Sequence, residues 1–155
     1  MIAGHQGRLG NMILQGTYEF RTPKEKLWEF IIDPAKIGRC LPDLKSLEVE
    51  SEEVFVARVR VGVGLIKADF KFRIEIIGKE ETSRVRLKAV GTGSGNSINL
   101  DVAIELKEIP GGSELLHRTD VKVGGMMAGL GQRVIRDTAD KTVAGVFECV
   151  KKHVE

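Results

Sequence analysis

The sequence is poor in several residue types, and each shortage excludes a class of protein. One Trp, one Tyr and no block of basic residues occur among the 155 residues, so we expect no binding of nucleic acid. No apolar run approaches the ~18–20 residues that a membrane span needs. The first eleven residues lack the apolar segment of a signal peptide. We therefore predict a cytoplasmic protein whose contact with a membrane is at most peripheral.

Cysteine is scarce as well. Cys40 and Cys149 lie far apart and have neither the spacing of a disulfide framework nor that of a zinc site. With three scattered histidines, this predicts no metal site and no cofactor, and a reducing cytoplasm fits best. Asn and Gln are also rare, whereas 30% of the residues are charged, a balance that favours a thermophile. Intracellular disulfides occur in such organisms, so a Cys40–Cys149 bridge stays open.

Period-2 alternation fills most of the chain and predicts strands. The clearest stretch, IKADFKFRIEI at 66–76, places apolar side chains on one face and charged side chains on the other. Similar patterns predict six more strands, at 12–20, 46–52, 54–61, 84–90, 98–106 and 114–123. The short links rich in turn residues indicate an antiparallel meander.

Two regions depart from this alternation and predict helices. The T-x-x-E pattern of Thr22 and Glu25, with Pro23 between them, indicates a helix start, and two short helical pieces follow before Pro42. From about residue 128 the apolar period becomes 3.6, which predicts a long amphipathic helix over 128–152. Its apolar stripe contains Ala139, Val143, Val146, Phe147, Val150 and Val154.

This order of elements predicts the fold class. It is an α+β fold in which a curled seven-stranded antiparallel sheet wraps around the long C-terminal helix, with two short helices after strand 1. We expect a single domain over 12–155, preceded by a flexible tail at 1–11. A curled sheet around one helix tends to leave a hollow, although the same side chains can also fill a solid core. The residues predicted to line the hollow are Phe55, Phe70, Phe72, Leu87, Leu100 and Val102.

The segment VGGMMAGLGQRVI at 123–135 raises the question of a phosphate site. Two of its glycines have the spacing of a P-loop, but Leu130 and Gly131 stand where Lys and Ser or Thr are required. Glycine is explained instead by a tight turn between the last strand and the long helix. The glycines of this predicted gating turn are Gly124, Gly125, Gly129 and Gly131. Met126 and Met127 are adaptable apolar residues, which predicts either a mobile flap over the cavity or simple core filling.

His117 is the one candidate for polar chemistry inside the sheet. It alternates in phase with Leu115 and Thr119, so its side chain is predicted to point inward. Such a histidine serves either as a hydrogen-bonded structural residue or as a donor to a ligand carbonyl. The sequence places no nucleophile beside it and no pair of carboxylates on an inward face, so no catalytic residue is predicted.

The order β-α-α-β₆-α resembles the helix-grip fold of START-type lipid-transfer domains and the birch pollen allergen group, which form the SRPBCC superfamily. Four segments resemble the CoxG family of carbon monoxide dehydrogenase proteins from about Met12 to the end of the chain. They are DPAKIGRCLP at 33–42, VRVGVGLIKADFKF at 59–72, GTGSG at 91–95 and VGGMMAGLGQRVI at 123–135.

The resemblance implies a non-catalytic accessory protein of a molybdenum hydroxylase or carbon monoxide dehydrogenase system. It implies a quinone or lipid in the hydrophobic cavity and recruitment of the enzyme to the membrane. Some members carry an apolar anchoring tail, and the present sequence ends at Glu155 without one. We therefore expect a soluble carrier or adaptor with transient contact to a membrane surface. A small cavity enzyme, similar to the cyclases and hydratases of this fold, is the alternative, and a homodimer stays open.

Overall fold

The computed structural model describes residues 11–155, and within them strands and helices follow one another in the predicted order. Residues 1–10, most of the predicted tail, lie outside the described residues. The strands are β1 Asn11–Phe20, β2 Leu44–Val49, β3 Val54–Val63, β4 Ile66–Glu80, β5 Arg84–Gly93, β6 Asn96–Ile109 and β7 Gly112–Gly124. The α-helices are α1 Lys24–Ile31, α2 Pro34–Ile37 and α3 Gln132–Val154, and two 3₁₀ helices span Gly38–Cys40 and Met126–Leu130.

All seven strands form one antiparallel sheet in the order β1-β7-β6-β5-β4-β3-β2. Strands β2 to β7 pair with their neighbours in sequence, whereas β1 pairs with β7. The chain therefore passes from one edge of the sheet to the other through α1, α2 and the first 3₁₀ helix. The sheet curls around α3, and the predicted helix-grip fold class is confirmed.

The inner face of the sheet packs against the apolar stripe of α3. In β4, burial alternates along the strand as its sequence predicts, because successive side chains point to opposite faces. The buried apolar residues form two clusters. One surrounds Phe147 and Val150 of α3 and includes Trp28 of α1. The other lies beside the first half of α3 and includes Phe70 and Met127.

Helix α3 begins later than the predicted residue 128. Residues Met126–Leu130 form a separate 3₁₀ helix, and Gly131 follows with a φ of 91°. A residue with a side chain rarely adopts this conformation, so the glycine separates the two helices. The long helix therefore starts at Gln132 and extends to Val154.

The predicted capping box at Thr22 is wrong. The N-cap of α1 is Pro23, which makes no side-chain capping bond. Ser113 of β7 donates a hydrogen bond from its hydroxyl to the Thr22 carbonyl at 2.9 Å. That bond holds the residue against the sheet, and the Thr22 hydroxyl is buried with no hydrogen-bond partner among the described residues. Tertiary contact therefore overrides the local capping pattern.

A disulfide joins Cys40 to Cys149, with the two Cα atoms 5.5 Å apart. It ties the first 3₁₀ helix to the last third of α3. Cys40 is buried and Cys149 is half-buried. The reducing cytoplasm inferred from the sequence favours free thiols, but the fold brings the two sulfur atoms together across 109 positions of sequence.

We expect the unfolded, unreduced protein to show no reactive thiol, since both cysteines of the chain are in the bridge. Reduction should lower the free energy of unfolding by about 2–5 kcal/mol, because the bridge restricts a long loop in the unfolded chain. Thiol titration in denaturant and urea unfolding with and without a phosphine reductant measure the two effects. Two reactive thiols in the unreduced protein would contradict the bridge.

Candidate functional site

A cavity of about 310 Å³ lies between the first half of α3 and the inner face of the sheet. Its walls come from most strands of the sheet and are mainly aliphatic. The lining residues of the sheet include Leu14, Val59, Val61, Phe72, Ile74, Ala89, Ile98, Leu100, Val121 and Val123, and those of α3 are Ile135, Thr138, Ala139, Thr142 and Val143. The hollow predicted from the curled sheet is therefore present.

The size of the side chains along α3 explains why only one half of the interior is hollow. The second half of the helix presents Phe147 to the sheet, and the tyrosine ring of β1 packs on it with the centroids of Tyr18 and Phe147 4.4 Å apart. The first half presents Ala139 and Thr138 at the corresponding depth. These short side chains do not reach the concave sheet, so space remains above them.

A strand glycine shapes the sheet side of the cavity. Gly91 of β5 pairs with Phe72 of β4, and a Cβ atom at position 91 would overlap the ring of Phe72. The missing side chain lets the ring lie across the neighbouring strand. Phe70 stacks against this ring at a centroid distance of 5.8 Å.

The exposed members of the lining mark where the cavity opens. Pro42, Asp43 and Arg60 lie on one side of the opening, and Thr142 of α3 lies on the other. The backbone N–H of Arg60 donates to the carbonyl of Asp43 at 3.2 Å, and its guanidinium pairs with Asp69 at 3.1 Å. The rim is therefore charged, although the interior is apolar.

The glycine-methionine turn, residues 124–131, closes the end of the cavity near the β5–β6 hairpin. Met127 is fully buried and lines the cavity, whereas Met126 is 70% exposed. The side-chain oxygen of Asn96 accepts a hydrogen bond from the backbone N–H of Met127 at 2.9 Å. Gly125 has a φ of 88°, and a Cβ there would overlap Asn96. The turn is thus fixed by the hairpin beside it.

Thr119 is the polar residue at the inner end of the cavity. It lies in β7, is buried, and pairs across the sheet with Leu14 and Val102. Its hydroxyl oxygen is 3.2 Å from Nδ1 of His117. The His117 ring stacks with Tyr18 at a centroid distance of 5.9 Å and contacts Phe147 at 5.7 Å. This Thr119–His117 pair forms the floor of the cavity, with the filled half of the core below it.

Burial changes the acidity of both rings beneath the floor. Desolvation lowers the pKa of His117, so its neutral form predominates at neutral pH. Desolvation, together with the negative charge of Asp140, raises the pKa of Tyr18, which keeps its hydroxyl protonated. Neutral His117 can donate from Nδ1–H to the Thr119 oxygen, which leaves the Thr119 proton free to point into the cavity.

The structure divides the residues predicted to bind a ligand. Phe72, Leu100 and Met127 line the cavity. The other predicted residues have different positions: Phe55 and Phe70 lie in the adjacent core, Leu87 and Val102 pack toward the filled half below the floor, and His117 lies behind Thr119. Met126 faces solvent, and the glycines Gly124, Gly125, Gly129 and Gly131 form the turn without lining the cavity.

Sequence reasoning missed several residues that shape the site. Thr119 and Ala139 were visible as inward residues of a strand and a helix, but their small size was not read as a sign of open space. Gly91 and Asn96 were assigned to a turn. A glycine inside a strand signals close approach of a neighbouring side chain, and this signal could have located the Phe72 ring.

The fold and cavity define a class of protein: a START-like helix-grip protein with an apolar ligand cavity. A conserved protein from Geobacillus kaustophilus is 25% identical, with a TM-score of 0.84 over 92% of this chain and 95% of that one. A START superfamily protein from Mycobacterium smegmatis is 13% identical, with a TM-score of 0.69 over 92% of this chain and 96% of that one. An aromatase/cyclase from Streptomyces sp. R1128 is 12% identical, with a TM-score of 0.67 over 93% of each chain.

Residues 16–155 match the model of the carbon monoxide dehydrogenase CoxG family, and the chain belongs to this family. The resemblance found in the four sequence segments is confirmed. No curated protein sequence is a significant match. None of the described helices has the length and apolar composition needed to cross a bilayer.

The lowered pKa of His117 predicts how stability depends on pH. Above its unfolded pKa of about 6.5 the histidine is neutral in both states, and its contribution to stability is complete. As the pH falls below that value, the unfolded chain binds a proton that the native protein does not, so the free energy of unfolding falls. Urea unfolding at several pH values between 7 and 5 measures this.

The variant His117→Gln should show a weaker decrease over the same pH range, and His153→Gln serves as the exposed control. An equal decrease in His117→Gln and the original protein would show that other groups cause it.

Proposed function

We propose that this protein binds a hydrophobic molecule with a polar head, a quinone or a lipid, in the cavity beside the first half of α3. It would act as a non-catalytic carrier or membrane-recruitment adaptor of a molybdenum hydroxylase or carbon monoxide dehydrogenase. Membership of the CoxG family supports an accessory role. The observation that carries the proposal is the open apolar cavity with one polar residue, Thr119, at its inner end.

The cavity suits a ligand that is apolar over most of its length. Its volume of about 310 Å³ is near the lower limit of small-molecule sites. A head group or a few prenyl units fit inside, and the remainder of a chain can leave through the opening beside Arg60. Each CH₂ group that leaves water contributes about 0.8 kcal/mol, so affinity does not require many polar contacts.

Thr119 supplies the polar recognition. With its oxygen accepting from His117, the hydroxyl can donate to a carbonyl of a ligand head inserted to the floor. The head therefore enters first, and the chain follows toward the opening. A carbonyl is the acceptor that a quinone offers, and the ester of a lipid offers the same group.

The lining favours binding over catalysis. Among the described lining residues, Asp43 and Arg60 are the titratable ones, and both lie at the opening. The inner end presents threonine and aliphatic side chains. General acid–base catalysis requires titratable groups within hydrogen-bond reach of the reacting atoms. The alternative, a cyclase-like or hydratase-like enzyme, would have to use His117 through Thr119.

Apolar residues exposed at the turn end of the fold support transient contact with a membrane surface. Leu65, at the tip of the β3–β4 hairpin, is fully exposed, and Met126 is 70% exposed. The backbone of Gly64 lies beside Leu130 and Val134, which places the hairpin tip next to the glycine-methionine turn. Exposed Lys67 and Arg133 follow these tips in sequence and suit an anionic lipid surface.

Filling the cavity should abolish binding without unfolding the protein. Ala139→Phe places a ring into the hollow from α3, and we expect at least about tenfold weaker binding of menaquinone, equivalent to 1.4 kcal/mol. Partition of labelled menaquinone into the protein at micromolar concentration measures this. Trp28 lies in the filled half of the core, away from the lining, so its fluorescence is a poor reporter.

Ala144→Phe is the matched control, because Ala144 is exposed on the same helix. It should bind menaquinone as the original protein does. If the original protein binds neither menaquinone nor a phospholipid, the carrier proposal fails and a purely structural adaptor remains.

Removing the exposed apolar tips should slow ligand uptake from a membrane. The pair Leu65→Asp and Met126→Asp should lower the rate of menaquinone transfer from anionic vesicles, since charged tips do not enter the interface. Equilibrium binding from detergent solution and the free energy of unfolding should stay unchanged. Met127 is unsuitable for this test, because it is fully buried and an Asp there would damage the fold.

The pair Ile77→Asp and Val90→Asp is the control for this experiment. Both residues are exposed and apolar but lie on the outer face of the sheet, away from the turn. Equal slowing by the two pairs would show that net charge, and not insertion at the tips, sets the transfer rate.

A further inference from the structure

The disulfide lies beside a third metal-ligating side chain. His153 follows Cys149 by one helical turn of α3, and its Nδ1 is 3.8 Å from the Sγ of Cys149. The Sγ atoms of Cys40 and Cys149 and a ring nitrogen of His153 all lie within 4.8 Å of one another. The sequence gives no sign of this cluster, because Cys40 is more than a hundred positions from the other two.

We propose that, when the disulfide is reduced, Cys40, Cys149 and His153 bind a zinc ion. Zinc takes thiolate sulfur at about 2.3 Å and imidazole nitrogen at about 2.0–2.1 Å in a tetrahedral arrangement. Those lengths place sulfur and nitrogen about 3.6 Å apart, close to the separation already present between Cys149 and His153. Only the sulfur of Cys40 has to move away from that of Cys149.

The chemistry balances without a further oxidant. A cellular dithiol transfers two electrons and two protons to the disulfide, becomes a disulfide itself, and leaves two thiols on Cys40 and Cys149. Zinc then displaces both thiol protons to solvent and forms two Zn–S bonds. The imidazole contributes a neutral lone pair, and the fourth position of the tetrahedron is left to water.

His153 is held where the ion would bind. Its Nδ1 is 2.9 Å from the carbonyl oxygen of Cys149, and its ring packs on Phe30 with the centroids 5.3 Å apart. In the oxidised protein Nδ1 donates to that carbonyl. Zinc binding at Nδ1 moves the ring proton to Nε2, which faces outward on this exposed side chain.

The site has a structural consequence for the cavity. Cys40 directly precedes Leu41, Pro42 and Asp43, which line the cavity and form one side of its opening. The disulfide fixes this segment to α3 in an oxidising environment. A zinc ion on the same two sulfurs would keep it fixed in a reducing one.

The test compares zinc binding by oxidised and reduced protein. After reduction with a phosphine, which becomes its oxide as water supplies the protons, and removal of the excess, equilibrium dialysis against Zn²⁺ should give one ion per chain. The oxidised protein should retain none. His153→Ala should weaken binding by about tenfold to 100-fold, the range that even outer partners of a metal contribute. Lys152→Ala, a neighbouring exposed residue, should bind as the original protein does.

A second measurement covers the case in which reduction loosens the fold. Zn²⁺ should raise the unfolding temperature of the reduced original protein and of Lys152→Ala, but it should have little effect on reduced His153→Ala. The proposal is overturned if the reduced protein binds no zinc, or if His153→Ala binds zinc as tightly as the original protein. It is also overturned if zinc fails to stabilise the reduced chain. Ligand binding plays no part in these readouts.

Discussion

The packing of α3 into the concave face of the sheet is the contact on which the rest of this molecule depends. The sheet has one apolar face, and most of it is covered by one helix, so the side chains of that helix decide how much of the interior is filled. Phe147, Val150 and Val154 fill the second half. Ala139 and its neighbours leave the first half open. A single helix therefore supplies a stable core and a binding cavity in series.

This division assigns different tasks to the two ends of the fold. Helix α1, the disulfide and the aromatic cluster around Phe147 are at the filled end, where they secure the helix to the sheet. The hairpin tips and the glycine-methionine turn are at the hollow end, with fewer large side chains to hold them. The Asn96–Met127 hydrogen bond compensates there by tying the turn to the β5–β6 hairpin. Thr119 lies at the boundary between the two ends.

The sequence predicted well what depends on local periodicity. Alternation identified all seven strands and their inward faces, and the 3.6 period identified α3, because both signals come from residues that are neighbours in the chain. It could not separate cavity from core. Phe70 and Phe72 share one face of one strand, yet only Phe72 lines the cavity. The difference depends on the size of the side chains that α3 places opposite them, which is a property of packing. The Cys40–Cys149–His153 cluster was missed for the same reason, and the capping pattern at Thr22 failed because β7 holds that residue.

The pairing of β1 with β7 carries a consequence for how the chain folds. Strands β2 to β7 form successive hairpins, each between sequence neighbours, and such contacts form early and at low cost in entropy. In contrast, Asn11 pairs with Lys122, so the first strand must wait for nearly the whole chain before it finds its partner. On the ribosome, β1, α1 and α2 would emerge first and remain without their sheet until β7 appears. We expect the late docking of this N-terminal segment to limit the folding rate, and the apolar residues of α1 to be the part of the nascent chain most in need of protection.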